Sequence, residues 1–143
     1  MSAVYLETSA LLSWLLGQSN SGEVRKTLDA ASVVLTSELT LAEAERALVR
    51  AEHEQLLTGG DGQRLRGLLQ RSRSGWMTMT VSEEVLERAG RSFPVEPLRT
   101  LDGIHLATAL VFTRAFAELR VLSFDRRIAD NARTLGILGE QSG

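Results

Sequence analysis

Four acids in this chain of 143 residues, Glu7, Glu43, Asp102 and Asp125, stand where carboxylates could act together. Glu7 directly follows the β-prone run Val4-Tyr5-Leu6, and Asp125 directly follows Arg120-Val121-Leu122-Ser123-Phe124. Both are expected at the carboxyl edge of a sheet, where ligands of open α/β sheets bind. For each alone the ordinary reading is an acid at the start of the next helix, which stabilises it by about 1 kcal/mol when it caps.

Glu43 is placed by helical projection. At about 100° per residue, Leu41, Ala44, Leu48 and Ala51 share an apolar face. Glu38, Glu45 and Glu52 line one border of that face, and none has a basic residue three or four positions away, so they read as solvated acids. Glu43 lies on the opposite border beside Leu39 and Ala47. An ion pair with Arg46, worth about 0.2–0.5 kcal/mol on an exposed helix, and a carboxylate directed partly inward both fit that position. Asp102 is the most telling of the four. It sits in the first turn of a helix rich in core residues, Ile104, Leu106, Ala107, Ala109, Leu110, Val111 and Phe112. A buried carboxylate needs a partner, and Arg99 is the only cation nearby in sequence; a bound divalent ion is the alternative. Carboxylates in a chain without cysteine favour Mg²⁺ or Mn²⁺ over zinc. Such a cluster suits metal-assisted phosphoryl chemistry.

The elements that must position these acids alternate along the chain. Strands are expected at Val4–Leu6, Ser32–Thr36, Trp76–Val81 and Arg120–Phe124, with a short final strand at Gly136-Ile137-Leu138. Helices are expected over Ala10–Leu16, Glu23–Ala30, Gln63–Arg73, Ser82–Arg91, Thr100–Glu118 and Arg126–Leu135, and from a Ser37 cap to about Leu57. Gly59-Gly60-Asp61-Gly62 reads as a break, and Pro94 and Pro97 bracket a loop. This alternation predicts an α/β fold with a mostly parallel sheet of four to five strands and right-handed crossovers. Residues 1–143 read as one domain, long enough to bury a core, without repeat or linker.

Composition narrows the function. The net charge of −2 argues against non-specific grip on nucleic acid, while leaving room for an enzyme that neutralises its own acids with a cation. The absence of cysteine excludes disulfides and thiol chemistry and suits a cytoplasmic location. No apolar stretch reaches the roughly 20 residues of a membrane span, and the start of the chain lacks a basic leader, so no signal peptide is expected. Lys26 is the only lysine; the arginine bias is read as genomic before it is read as phosphate recognition. Among the arginines, Arg64, Arg66, Arg71 and Arg73 fit a solvated helix face better than a contact with phosphates or a partner. His105 reads as a packed, hydrogen-bonded core histidine, His53 as exposed, and Trp14 and Trp76 as packing residues.

Four segments together resemble the motifs of PIN-domain nucleases: Val4-Tyr5-Leu6-Glu7-Thr8-Ser9-Ala10-Leu11, Ser37 through Leu48, Leu101 through Ala109, and Val121-Leu122-Ser123-Phe124-Asp125-Arg126-Arg127. Their order and spacing span nearly the whole chain, and size and motif style are most similar to the VapC-type toxins of bacterial toxin–antitoxin pairs. The resemblance implies a PIN-like three-layer α/β/α fold and an endoribonuclease that uses Mg²⁺ or Mn²⁺ to activate water. It implies that Glu7, Glu43, Asp102 and Asp125 form the catalytic quartet, that Glu7, Asp102 and Asp125 hold the metal, and that Ser9 and Ser123 support the site. It further implies homodimers and a cognate antitoxin that blocks the site with a basic side chain. The family usually has aspartate where this chain has Glu7, which moves the carboxylate out by about 1.5 Å.

Two other functions fit parts of this pattern. A non-cleaving PIN-like module that binds RNA or protein would keep the fold without needing an ion; the presence of all four acids speaks against it. A phosphoacceptor receiver domain also gathers acids at a parallel sheet edge, but it characteristically places a lysine after a late strand, and Lys26 lies in an early helix.

Overall fold

The computed structural model describes residues 2–139. Strands β1 (Ala3–Leu6), β2 (Val33–Ser37), β3 (Met77–Met79) and β4 (Leu119–Leu122) form one sheet, parallel throughout, in the order β3-β2-β1-β4. Helices α1 (Thr8–Leu15), α2 (Ser21–Ala30), α3 (Glu38–His53), α4 (Gly59–Arg73), α5 (Glu83–Ala89), α6 (Thr100–Phe112) and α7 (Arg126–Thr134) complete the described elements.

The period-2 geometry of strands divides the core in two. Ala3, Tyr5, Leu35 and Val121 face a cluster built with Val85, Ile104, Leu106 and Ile128 from α5, α6 and α7. Val4, Leu6, Val34 and Leu122 face the opposite cluster, with Leu11, Val24, Leu41 and Leu69 from α1 to α4. The result is the expected three-layer α/β/α arrangement. Strand β1 is buried throughout and β2 nearly so, as parallel strands covered by helices must be, whereas the edge strand β3 exposes Met77.

Several boundaries differ from the sequence expectation. The run through Leu57 stops being helical at His53, because Gln55 takes a left-handed φ of 61° and leaves Leu56 exposed. The Thr100–Glu118 helix ends at Phe112; Phe116 still joins the core, but from the turn that leads into β4. The glycines at 59–62 open α4 instead of breaking the chain, since Thr58 and Asp61 form a reciprocal capping box. Gly62 gives α3 and α4 a close approach: a Cβ there would come within 2.7 Å of the Glu52 carboxylate and oblige that side chain to shift. Strand β4 ends at Leu122, so Ser123 and Phe124 form the turn before α7. The segment at 136–138 contributes only a single bridge, Val121 to Leu138, and no full fifth strand forms among the described residues.

Chain direction fixes where function can lie. From β1 the order runs through β2 to β3 on one side, while β4 lies on the other, so the switch point falls between β1 and β4. At that edge the buried Thr36 hydroxyl donates to the Leu6 carbonyl at 2.7 Å, tying the end of β2 to the end of β1. Replacing Thr36 by valine keeps the shape and removes this bond, so Thr36→Val is expected to lower the unfolding free energy by about 1–2 kcal/mol in urea titrations. An unchanged midpoint would mean that the tether contributes nothing.

Candidate functional site

Glu7 is the first residue beyond β1 and the N-cap of α1. Its Oε2 accepts the Ser9 amide N–H at 3.1 Å. Its Oε1 accepts two hydroxyls, Ser9 Oγ and Ser123 Oγ, each at 2.5 Å. The side chain is only 4% exposed, and these donors replace the water it gives up. The Ser9 hydroxyl in turn accepts the amides of Phe124 and Asp125 at 2.8 and 3.1 Å, and Asp125 N–H also reaches Ser123 Oγ at 3.1 Å. One serine thus locks the turn after β4 onto the turn after β1.

Asp125 is the N-cap of α7. Its Oδ1 accepts the amides of Arg127 and Ile128 at 3.0 and 3.2 Å. The ordinary capping role is therefore real for both Glu7 and Asp125, and it is compatible with a second one: the other oxygen of Asp125, Oδ2, stands 4.0 Å from Arg99 Nη2. Asp102, 7% exposed in the first turn of α6, accepts Arg99 Nε at 3.2 Å. The local cation anticipated from the sequence is its partner. Arg99 bridges Asp102 and Asp125 while its own side chain remains largely open to solvent.

Glu43 comes from the second turn of α3. It makes no pair with Arg46. Its Oε1 accepts the Thr8 hydroxyl and His105 Nε2, both at 2.6 Å. Burial pushes the Glu43 carboxyl up, but the bonds from His105 and Thr8 and the charge of Arg99 outweigh it and hold the group below the usual carboxylate range. His105 is buried and hydrogen-bonded, as read from the sequence, with Nδ1 2.7 Å from the Tyr5 hydroxyl. Burial drives the Tyr5 phenol well above its usual range.

The four acids thus share one edge through common partners: Ser9 and Ser123 link Glu7 to Asp125, and Arg99 links Asp125 to Asp102 and acts on Glu43. Among the described residues, no three histidine, aspartate or glutamate side chains stand close enough together to hold an ion unaided. The donor set nevertheless fits a hard divalent cation. Its donors are all oxygens, two of the carboxylates are almost closed off from water, and a single arginine faces the group. Mg²⁺ characteristically takes one or two carboxylates and completes its shell with water and substrate phosphate, without a full protein cage.

Sequence reasoning missed Thr8 as a partner of Glu43 and gave Tyr5 no role beyond its strand. The available signal was adjacency, Thr8 next to Glu7 and His105 one turn beyond Asp102. Elsewhere, Glu38, Glu45 and Glu52 are not simply solvated. Glu38 accepts the Val81 amide at 2.8 Å, and Arg66 of α4 pairs with both Glu45 and Glu52. Arg66 is therefore committed to α3, while Arg64, Arg71 and Arg73 are exposed. Trp14 and Trp76 pack edge to face, with ring centroids 6.5 Å apart, and no described helix is long and apolar enough to cross a membrane.

Comparison with known proteins places the fold in a family. Residues 4–134 match the PIN domain family. Ribonuclease VapC46 of Mycobacterium tuberculosis is 36% identical over 138 residues, covering 96% of this chain and 95% of its own. The crystal structure of VapC20 from the same organism, a Sarcin-Ricin loop cleaving toxin, superposes with a TM-score of 0.66 at 16% identity, covering 96% of this chain and 98% of its own. PAE2754 from Pyrobaculum aerophilum gives a TM-score of 0.55 at 18% identity, over 94% and 92% of the two chains. The two structures speak for the fold, and the match over residues 4–134 together with the VapC46 likeness speaks for kinship: this chain belongs to the PIN-domain family, in its VapC-type ribonuclease branch.

Proposed function

We propose that the chain is a Mg²⁺- or Mn²⁺-dependent endoribonuclease and the toxin of a cytoplasmic toxin–antitoxin pair, with Glu7, Glu43, Asp102 and Asp125 as its catalytic acids. The observation that supports this reading is the network at the β1/β4 edge: Arg99 bridges Asp102 and Asp125 and acts on Glu43, while Ser9 and Ser123 join Glu7 to the Asp125 turn. Glu7, Asp102 and Asp125 would hold the ion. When bound, the ion neutralises the scissile phosphate and makes an attacking water more acidic.

The chain's own residues do the rest. Ser9 and Ser123 orient the Glu7 carboxylate by donating hydroxyls to Oε1. Asp125 keeps its second oxygen for the site while the first caps α7. Glu43, ionised at neutral pH, is suited to orient an attacking water through its second oxygen. The Arg99 contacts support the expectation that an antitoxin blocks the site with a basic side chain, since a guanidinium already satisfies two of these acids. Pairing with a second copy follows from the family resemblance alone.

Cleavage of RNA is expected to require Mg²⁺ or Mn²⁺ and to stop with EDTA, as read on a labelled transcript; full-rate cleavage without any divalent ion would overturn the reading. Asp102→Asn is expected to cost at least about a hundredfold in kcat/KM, equivalent to ~2.7 kcal/mol, with its circular dichroism unchanged. Glu7→Asp places the family's usual side chain at the same cap, and aspartate caps at least as well as glutamate. It should retain cleavage, and a folded but inert Glu7→Asp protein would remove Glu7 from the set.

A further inference from the structure

Glu43 is the one of the four acids that is held by an imidazole. Both of its hydrogen bonds fall on one oxygen, Oε1, and Oε2 takes none among the described residues. One donor, Thr8, sits beside Glu7 in α1. The other, His105, belongs to a hydrogen-bonded chain that crosses three elements: the buried Tyr5 on β1 and His105 on α6, and the half-buried Glu43 on α3. For His105 Nε2 to donate to the carboxylate from a neutral ring, Nδ1 must be the bare nitrogen, and it then needs a donor of its own. The Tyr5 hydroxyl, at 2.7 Å, supplies it. The two rings also pack edge to face, with centroids 6.0 Å apart.

Tyr5 is 1% exposed and His105 2% exposed. Two apolar side chains would fill that space without giving up hydration, so packing alone does not account for the polar chain. Its geometric product is a carboxylate whose rotation is fixed from behind, with one oxygen occupied and the other left for chemistry. We propose that His105 and Tyr5 are positioning residues for the nuclease reaction: the Tyr5 O–H fixes the Nε2–H tautomer of His105, and that N–H fixes the orientation of the Glu43 carboxylate. This inference rests on the nuclease reading above.

The test joins kinetics to a direct view of the imidazole. In the full-length wild-type protein, ¹⁵N imidazole shifts should show His105 protonated on Nε2 and bare on Nδ1. His105→Asn, which removes the donor at the Nε2 position, should lower kcat on RNA with Mn²⁺ by about 10- to 100-fold while KM stays within about twofold. His105→Gln, whose amide places an N–H near the Nε2 position, should recover part of that loss. Tyr5→Phe should shift the tautomer population toward Nδ1–H and lower kcat with the fold intact. A folded His105→Asn protein with wild-type kcat, or one that loses only KM, overturns the proposal. Should His105→Asn not fold, Tyr5→Phe decides: an unchanged tautomer with unchanged kcat overturns it. If the wild-type protein cleaves no RNA, the nuclease reading fails separately. The imidazole spectra then judge the relay by themselves, an Nδ1–H ring overturning it and an Nε2–H ring that responds to Tyr5→Phe sustaining it.

Discussion

Carboxylates gathered at one edge of a sheet repel each other, and taking them out of water raises the cost further. Helix direction is the first thing that makes this edge tolerable. In a parallel sheet with crossover helices, α1 and α7 begin at the carboxyl ends of β1 and β4, and α6, running back before β4, begins at the same edge. Glu7 and Asp125 cap two of these helices, and Asp102 lies in the first turn of the third. Each negative group therefore meets the positive end of a helix. Glu43 lies inside α3, away from any helix start, and it is the acid that relies on side-chain donors from two other elements. Helix starts favour three acids, and the fourth takes its hydrogen bonds from a hydroxyl and an imidazole.

Arg99 completes the charge balance without sealing the edge. It precedes α6 directly, and its guanidinium spans Asp102 and Asp125 from the solvent side. A flexible, exposed cation of this kind is readily exchanged for another, whereas the hydroxyl and amide donors around Glu7 are fixed by the fold itself. The edge therefore combines a rigid inner half around Glu7, Ser9 and Ser123 with an exchangeable outer half around Arg99.

Much of this was legible in the sequence. The four strands announced themselves as short β-prone runs, and the acids followed from their places beside those runs or in the first turn of an apolar helix. The buried, hydrogen-bonded character of His105 was legible too, because its neighbours on α6 are core residues. What stayed hidden was contact between distant segments. The pairing of Arg66 with Glu45 and Glu52 depends on how closely α4 approaches α3, which Gly62 permits, and no local spacing encodes that approach. Helix ends were misplaced for a related reason. Apolar periodicity continues through Leu57 and Phe116, but a left-handed Gln55 and the turn into β4 redirect the backbone, so those side chains serve another purpose or none.

The Ser9 hydroxyl touches residues at both extremes of the described chain, receiving amides from positions 124 and 125 while holding a carboxylate at position 7. Closing so long a loop is an entropic debt settled only when β4 docks against β1. During synthesis the amino-terminal half can collapse early around α1, β2 and α3, yet the acidic edge is incomplete until the last strand has left the ribosome. A nascent or truncated polypeptide consequently lacks Asp125 and one of the three donors of Glu7, so competence at this edge arrives last in the folding sequence.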